Sequence, residues 1–363
     1  VKGAIWGMLG GIVLSLGFVY RKLKQKTIAI ALLLMMAGMF LGFKFINEPM
    51  IIYFSDPVKP RSESWGALLL GALAIFIYLY FTIKNDQFKI VTKFALFGMI
   101  GGGLGFGLGG FWKVLGAQLG NEVIFTSWWK MMEFSFGFLL GGFLGYAAWL
   151  VRNKLKAIGT ENSISSNDKN IPVWLELGIT LLAGLSIYWI IPDLLEPIAW
   201  GGNENESIFV TAFRSLAGIV VNYAFYGFLM IMLALRLPKI AWQLGITLTF
   251  CHTMIDLGRD HIVKIVESSP NTVSFIIILI TTGIVALMTS IYRKKEKAKL
   301  WLLLLLVWST VLVSKVKIPL NPKKMELAGL SFCEIICGIY IVDIIFLVSA
   351  LAVTWIAVKK VSE

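Results

Sequence analysis

Ionisable side chains inside long apolar runs are the residues of this sequence that could do chemistry. Glu133, Arg214, His252 and Asp256 each interrupt such a run. A charged group near the centre of a bilayer costs at least ~2.5–3.5 kcal/mol on insertion scales, so each needs a partner or a function. Counted along helices that rise about 1.5 Å per residue, all four fall in the outer third of the membrane. We expect Arg214 to pair with Glu133 or Asp256.

A row of polar residues continues this layer beyond the apolar run. His252, Asp256 and Asp260 are four residues apart, with Arg259 and His261 adjoining them. On a helix this spacing puts the three residues on one face. Such a row can relay protons, hold a cation or bind an anion through arginine and histidine. The alternative interpretation is a set of structural ion pairs next to a hydrated helix end.

Two further candidates lie outside this row. Asp343 lies deeper, near the middle of the last apolar run, and is a candidate protonation or ion site. Trp128, Trp129 and Lys130 precede Glu133 by one helical turn and could form an outer lip that binds a sugar. An interfacial aromatic belt would explain the same tryptophans.

Glycines at four-residue spacing form the strongest local pattern. This spacing places them on one helix face, where the missing side chains let another backbone approach closely. The first, fourth and fifth helices are therefore predicted to pack together, and the same faces could let helices slide or line a pore. The glycines are Gly3, Gly7 and Gly11, then Gly101, Gly105 and Gly109, then Gly137, Gly141 and Gly145.

Composition points to a lipid environment. Of the 363 residues, 58% are hydrophobic and only 15% are charged, whereas soluble domains have roughly 25% charged residues. The net charge of +12 comes largely from basic residues in short loops between apolar runs. That arrangement is typical of membrane topology rather than of nucleic-acid binding. The expected partners are the lipid bilayer and a small-molecule or lipid-linked substrate, with no nucleic acid.

The apolar runs predict an all-α, polytopic membrane bundle. About 20 apolar residues are needed to cross a hydrocarbon core roughly 30 Å thick. The first run is expected to be a membrane helix rather than a removable signal peptide, because it is long and basic residues follow it. Eleven runs qualify: 3–20, 27–43, 65–83, 92–112, 128–151, 172–192, 208–235, 238–257, 273–292, 299–314 and 334–358.

Basic loops predict the orientation. Lysines and arginines follow every second run, which places the N-terminus outside and the C-terminus in the cytoplasm. One loop disagrees, since Lys315, Lys317, Lys323 and Lys324 fall outside. The predicted organisation is a first bundle over 1–151, a polar cytoplasmic connector over 152–171 and a second bundle over 172–363. The predicted location is a cell membrane, such as a bacterial inner membrane.

No metal site is predicted, and the sequence indicates neither a cofactor nor an oligomeric state. Cys251, Cys333 and Cys337 lie in or beside apolar runs, where a free cysteine commonly acts as a small apolar residue. Phosphate-binding, zinc-protease, nucleophile-elbow and dinucleotide motifs do not occur in their required contexts.

Three functions fit these patterns. A transporter or permease explains many helices, glycine contacts and intramembrane charges together. An integral membrane transferase, acyl or glycosyl, would act on an extracytoplasmic or lipid-linked substrate. In that enzyme His252 or Asp256 would be the base, and Arg214 or Arg259 would bind an anionic group. A non-catalytic scaffold subunit is the third possibility.

Polarity in the inner half of the membrane separates a transporter from the other two. A transport path must reach both surfaces, whereas a one-sided enzyme or a scaffold needs polar residues on one side or none. Only Asn222 and Asp343 are expected to extend toward the inner half. This feature of the sequence counts against the transporter.

Overall fold

The computed structural model is helical throughout the part of the chain that it describes. That part comprises residues 1–50, 64–119, 128–160, 172–195, 237–257, 270–293, 298–316 and 341–362, with isolated positions between 197 and 233. The chain divides into two compact units, Val1–Ser166 and Asn167–Glu363.

The described helices are numbered in chain order. The first unit contains α1 (Lys2–Val19), α2 (Gln25–Gly42), α3 (Trp65–Thr82), α4 (Asn85–Leu119), α5 (Trp128–Leu150) and α6 (Arg152–Thr160), with a 3-10 turn at Tyr20–Lys22 and a π-helix at Phe43–Asn47 after α2. The second unit contains α7 (Val173–Leu185), its π-helical continuation Ser186–Leu195, α8 (Pro238–Leu257), α9 (Pro270–Arg293), α10 (Ala298–Val316) and α11 (Ile341–Ser362).

Several of these helices are long and apolar enough to cross a membrane. Five qualify within the described residues, and all five belong to the first unit. Large apolar side chains point outward, as Phe81 and Trp355 do with 79% and 67% of their surface exposed. This pattern is consistent with a protein surrounded by lipid. Every predicted run except 208–235 contains a described helix, while the total of eleven spans and their orientation remain predictions.

Glycine backbones bring α1 and α4 into direct contact. A Cβ atom added to Gly7 would overlap the carbonyl oxygen of Gly98, and one added to Gly98 would overlap the carbonyl oxygen of Gly7. Gly3 and Gly11 meet Gly102 and Phe94 in the same way. Residue numbers rise along one helix as they fall along the other, so α1 and α4 run antiparallel.

The contact between α4 and α5 uses the glycines of only one helix. A Cβ on Gly105 would lie 2.8 Å from Phe136 Cα, and Gly101 and Gly109 likewise face α5. The α5 glycines were expected to pack in the same way, yet they are exposed, and no described atom lies within 4 Å of an added Cβ. The α4 glycines instead admit backbone atoms of α5 together with side-chain atoms of Met132 and Phe143. The exposed glycines are Gly137, Gly141 and Gly145.

A remote side chain caps the start of α3. Asn47, at the end of the π-helical turn after α2, accepts a hydrogen bond from the Ala67 backbone N–H at 2.9 Å. The first N–H groups of a helix have no partner within the helix, so this bond satisfies one of them. Ser64, the residue at the N-cap position, makes no side-chain capping bond. Asn47 therefore substitutes for a local cap and joins α2 to α3.

Replacing Asn47 with alanine is expected to lower the stability of the first unit by about 1 kcal/mol, the usual loss for a removed cap. Thermal unfolding of the detergent-solubilised protein measures this change. Ser64→Ala is the matched control and should leave the melting temperature unchanged. Equal losses in the two variants would contradict the capping role of Asn47.

The predicted polar connector begins with a short helix. α6 covers Arg152–Thr160, the first part of that connector. Lys154 forms an exposed ion pair of 3.0 Å with Asp86 at the start of α4. Exposed pairs contribute little to stability, so this one mainly orients α6.

Candidate functional site

Three residues of the predicted outer layer have described side chains. Glu133 is exposed on α5 in the first unit. Arg214 is half-buried and His252 is exposed, and both belong to the second unit. All three interact with neighbouring groups.

The remaining predicted residues are described only by their backbone or not at all. Trp128, Trp129 and Lys130 open α5, Asp256 lies near the end of α8, and Asp343 lies near the start of α11. Their side chains are outside the described part, and so are the whole residues Arg259, Asp260 and His261. The pairing of Arg214 with a carboxylate therefore remains a prediction.

The second unit contains a buried polar core that the sequence patterns did not single out. Glu176 on α7 is 1% exposed, and Thr180, Gln243 and Thr247 have no exposed surface. A buried polar group is unfavourable unless it is hydrogen-bonded, and a buried charge is far more so. Glu176 interacts with a neighbouring group, and this concentration of polar side chains inside apolar helices calls for a function.

Polar residues form one row on α7 and another on α8. Glu176, Thr180 and Gly184 are four residues apart and share a face of α7, as Gln243, Thr247 and Cys251 share a face of α8. The rows meet at their far ends, where a Cβ on Gly184 would lie 3.8 Å from Cys251 Sγ. We call these six residues the polar core.

Helix α9 closes the polar core from a third side. Gln243 Nε2 donates a hydrogen bond of 2.7 Å to the Ala286 carbonyl. Cys251 lies beside Thr282, so α8 and α9 run antiparallel. Thr289 and Ser290 continue the buried polar face of α9. All three helices contact one another.

Two oxygen atoms of the polar core have no hydrogen-bond partner among the described residues. They are Gln243 Oε1 and Thr247 Oγ1. The Gln243 amide cannot be flipped, because only its Nε2 can donate to the Ala286 carbonyl. Threonines in helices commonly donate to the carbonyl four residues earlier, as Thr180 does to the Glu176 carbonyl at 2.8 Å. Thr247 does not, so its hydroxyl is free for another partner.

The spacing of the polar-core residues could have been recognised in the sequence. Polar or small residues recur every fourth position in both rows, which predicts polar faces on otherwise apolar helices. Glu176 lies four residues after Pro172. A charged residue so close to the start of a helix is expected to be exposed to water. Its burial depends on α8 and α9, which are distant in sequence.

A π-helix of 10 residues begins at Ser186, two residues after Gly184, and continues α7. Such wide turns are rare, are usually single, and are frequently found at functional sites. The polar core therefore lies next to an irregular segment of backbone. A uniform helix would not produce this combination.

The described residues contain no group of three or more histidine, cysteine, aspartate or glutamate side chains that could hold a metal ion. The polar core instead offers oxygen atoms from one carboxyl, one amide and hydroxyl groups. Such ligands suit hard cations better than transition metals.

Over the described residues the protein is all-helical and has several long apolar helices, consistent with a membrane protein. Comparison with protein-family models, curated proteins and solved structures finds no match.

Proposed function

We propose that this chain is a multi-pass membrane transporter whose substrate path passes through the polar core of the second unit. The main observation that supports this proposal is the complete burial of Glu176, Gln243 and Thr247 between apolar helices. An intramembrane carboxyl group is costly to insert and typically marks an ion or substrate pathway. Packing alone gives no reason for three such residues in one core.

Helix direction supports a level arrangement of the two rows. With the predicted span 208–235 between them, α7 and α8 run in the same direction. From the contact of Gly184 with Cys251, Thr180 then lies level with Thr247, and Glu176 with Gln243. In this register Glu176 lies level with Gln243 and one helical turn from the level of Thr247, the two residues whose oxygen atoms lack partners in the described part of the chain.

Under the predicted orientation, the polar core extends into the inner half of the membrane. Glu176 and Gln243 lie near the starts of α7 and α8, which follow predicted cytoplasmic segments. Thr289 lies near the end of α9, before the basic segment that starts at Arg293. The inner-half polarity required for a transporter is thus supplied by residues that the outer-layer pattern omitted. The outer residues Arg214, His252 and Asp256 would form the other end of the path.

Chemical labelling of Cys251 tests this function, because this thiol lies at the end of the α8 row. The experiment uses a variant with Cys333 and Cys337 replaced by alanine, in right-side-out and inverted vesicles. A charged methanethiosulfonate reagent should modify Cys251 from both sides. If water reaches the core through a state populated at about 0.1–10%, modification should be roughly 10–1000-fold slower than for an exposed thiol.

Ile284→Cys, made without the other cysteines, is the matched control. Ile284 is 52% exposed on the outer surface of α9, so lipid should protect it from a charged reagent. Modification of Cys251 from the external side alone would contradict the transporter and favour the transferase that acts on an extracytoplasmic substrate. Protection from both sides would favour the scaffold.

A further inference from the structure

We infer that the polar core binds an alkali metal cation through the Glu176 carboxyl, Gln243 Oε1 and Thr247 Oγ1. This inference deepens the proposed function and rests on it for the alignment of α7 with α8. It names the chemical class of ligand that the core accepts and three residues that would hold it.

The two oxygen atoms without a hydrogen-bond partner among the described residues are the main evidence for this cation site. Gln243 and Thr247 are fully buried, and their free atoms are both oxygens. The Gln243 amide already uses Nε2 as a donor to Ala286, and its other polar atom, Oε1, can only accept. A dehydrated cation is bound by several oxygen atoms at once, as in transporters where backbone carbonyls coordinate sodium. A proton on Glu176 would satisfy only one acceptor.

The threonine geometry supports the same conclusion. Thr249 lies on α8 two residues from Thr247 and donates to the Gly245 carbonyl at 2.7 Å. Thr289 on α9 donates to the Val285 carbonyl at 2.8 Å. Thr247 is buried yet makes no such bond, which leaves its oxygen lone pairs and its proton for other groups.

Charge selects the valence of the ion. Glu176 is the one charged side chain among the buried described residues. A single carboxylate balances one positive charge, whereas a divalent ion would leave a net charge in a medium of low dielectric constant. The core therefore matches Na⁺ or K⁺ better than Mg²⁺ or Ca²⁺.

Cation-dependent thermal unfolding of the purified full chain tests this site. Unfolding is followed in NaCl, KCl or N-methyl-D-glucamine chloride at equal ionic strength and constant pH. Na⁺ or K⁺ should raise the melting temperature saturably, by roughly 3–4 °C at about one hundred times the dissociation constant. The two alkali chlorides show which ion is preferred.

Two variants locate the effect. Glu176→Gln should abolish the cation-dependent rise, and Thr247→Val should weaken cation binding by at least about tenfold. Without alkali cation, Thr247→Val should melt at or above the parent temperature, because a methyl group replaces an unsatisfied hydroxyl. Thr249→Val, on the exposed side of the same helix, should keep the full cation response. If Glu176→Gln does not fold, the contrast between the two threonine variants decides.

Three results would overturn the cation site. These are equal melting temperatures in all three chlorides, an unchanged response in both core variants, or a response that follows pH and not the cation. The Cys251 labelling separates this failure from failure of the transporter. If Cys251 is labelled from both sides but no cation effect is seen, only the cation site is rejected. If a cation effect is seen but labelling occurs from one side only, the transporter is rejected and the cation site stands.

Discussion

Replacing Gly7 with leucine is expected to prevent the first unit from folding. The Gly7 and Gly98 backbones touch each other reciprocally, so an added side chain meets a carbonyl group and not a movable side-chain end. Overpacking commonly costs about 1–3 kcal/mol and occasionally more. We expect a loss above about 3 kcal/mol here, since relief requires two whole helices to separate.

Gly10→Leu provides the control for this change. Gly10 lies on the same helix, three residues further on, and an added Cβ would have no described atom within 4 Å. The yield of monodisperse protein in size-exclusion chromatography, with its melting temperature, measures both variants. Gly10→Leu should behave like the parent. A Gly7→Leu protein of parental yield and stability would show that α1 and α4 do not pack through this face.

The second large effect is expected for Gln243→Glu. The substitution keeps the shape of the side chain but removes the donor to the Ala286 carbonyl. It also places a second carboxyl group in a core that holds Glu176. A buried charge that is left uncompensated costs about 3–5 kcal/mol. We expect a loss above about 3 kcal/mol at pH 8.

The pH dependence separates charge from the loss of the hydrogen bond. Burial favours the protonated form of the introduced carboxyl, and that form can also donate to the Ala286 carbonyl. Stability should therefore be lost as pH rises and partly regained at pH 5. Gln243→Met, which has a similar length and no charge, should lose less stability and show no added pH dependence. Parallel pH profiles for the two variants would argue against a charge-sensitive core.

Helix positions in this chain follow largely from its apolar runs, because lipid-exposed helices must be apolar over most of their length. The runs at 3–20 and 65–83 differ from α1 and α3 by at most one residue at each end. The π-helix after α7 has no comparable signature, since its hydrogen-bond pattern depends on tertiary packing. Its single proline, Pro192, does not specify a wide turn.

The glycine pattern predicts which helices approach closely, but not which face of each helix is used. Gly7 and Gly141 both belong to rows with four-residue spacing, yet only Gly7 meets another backbone. The choice depends on the side chains opposite, and Phe136 and Met132 of α5 fit against the glycines of α4. Periodicity within one helix contains no information about that partner.

The candidate site was predicted less well than the fold. Charge drew attention to Arg214 and His252, whereas the polar-core residues with no exposed surface are the uncharged Thr180, Gln243 and Thr247. Threonine and glutamine change hydropathy only slightly, so one such residue in an apolar run is not conspicuous. Their importance comes from three helices placing them together, and only a three-dimensional arrangement provides that.

The length of α4 has a practical consequence for imaging this protein. With 35 residues the helix is about 52 Å long, while a bilayer core is about 30 Å thick. Gly109 lies opposite Met132, and Gly3 opposite Gly102, so the segment after Lys113 extends past the first residues of both α1 and α5. A rigid fusion partner joined through that continuous helix would rise above the detergent micelle. Electron cryomicroscopy would then have an asymmetric marker by which to align the particles of a 40.4 kDa protein.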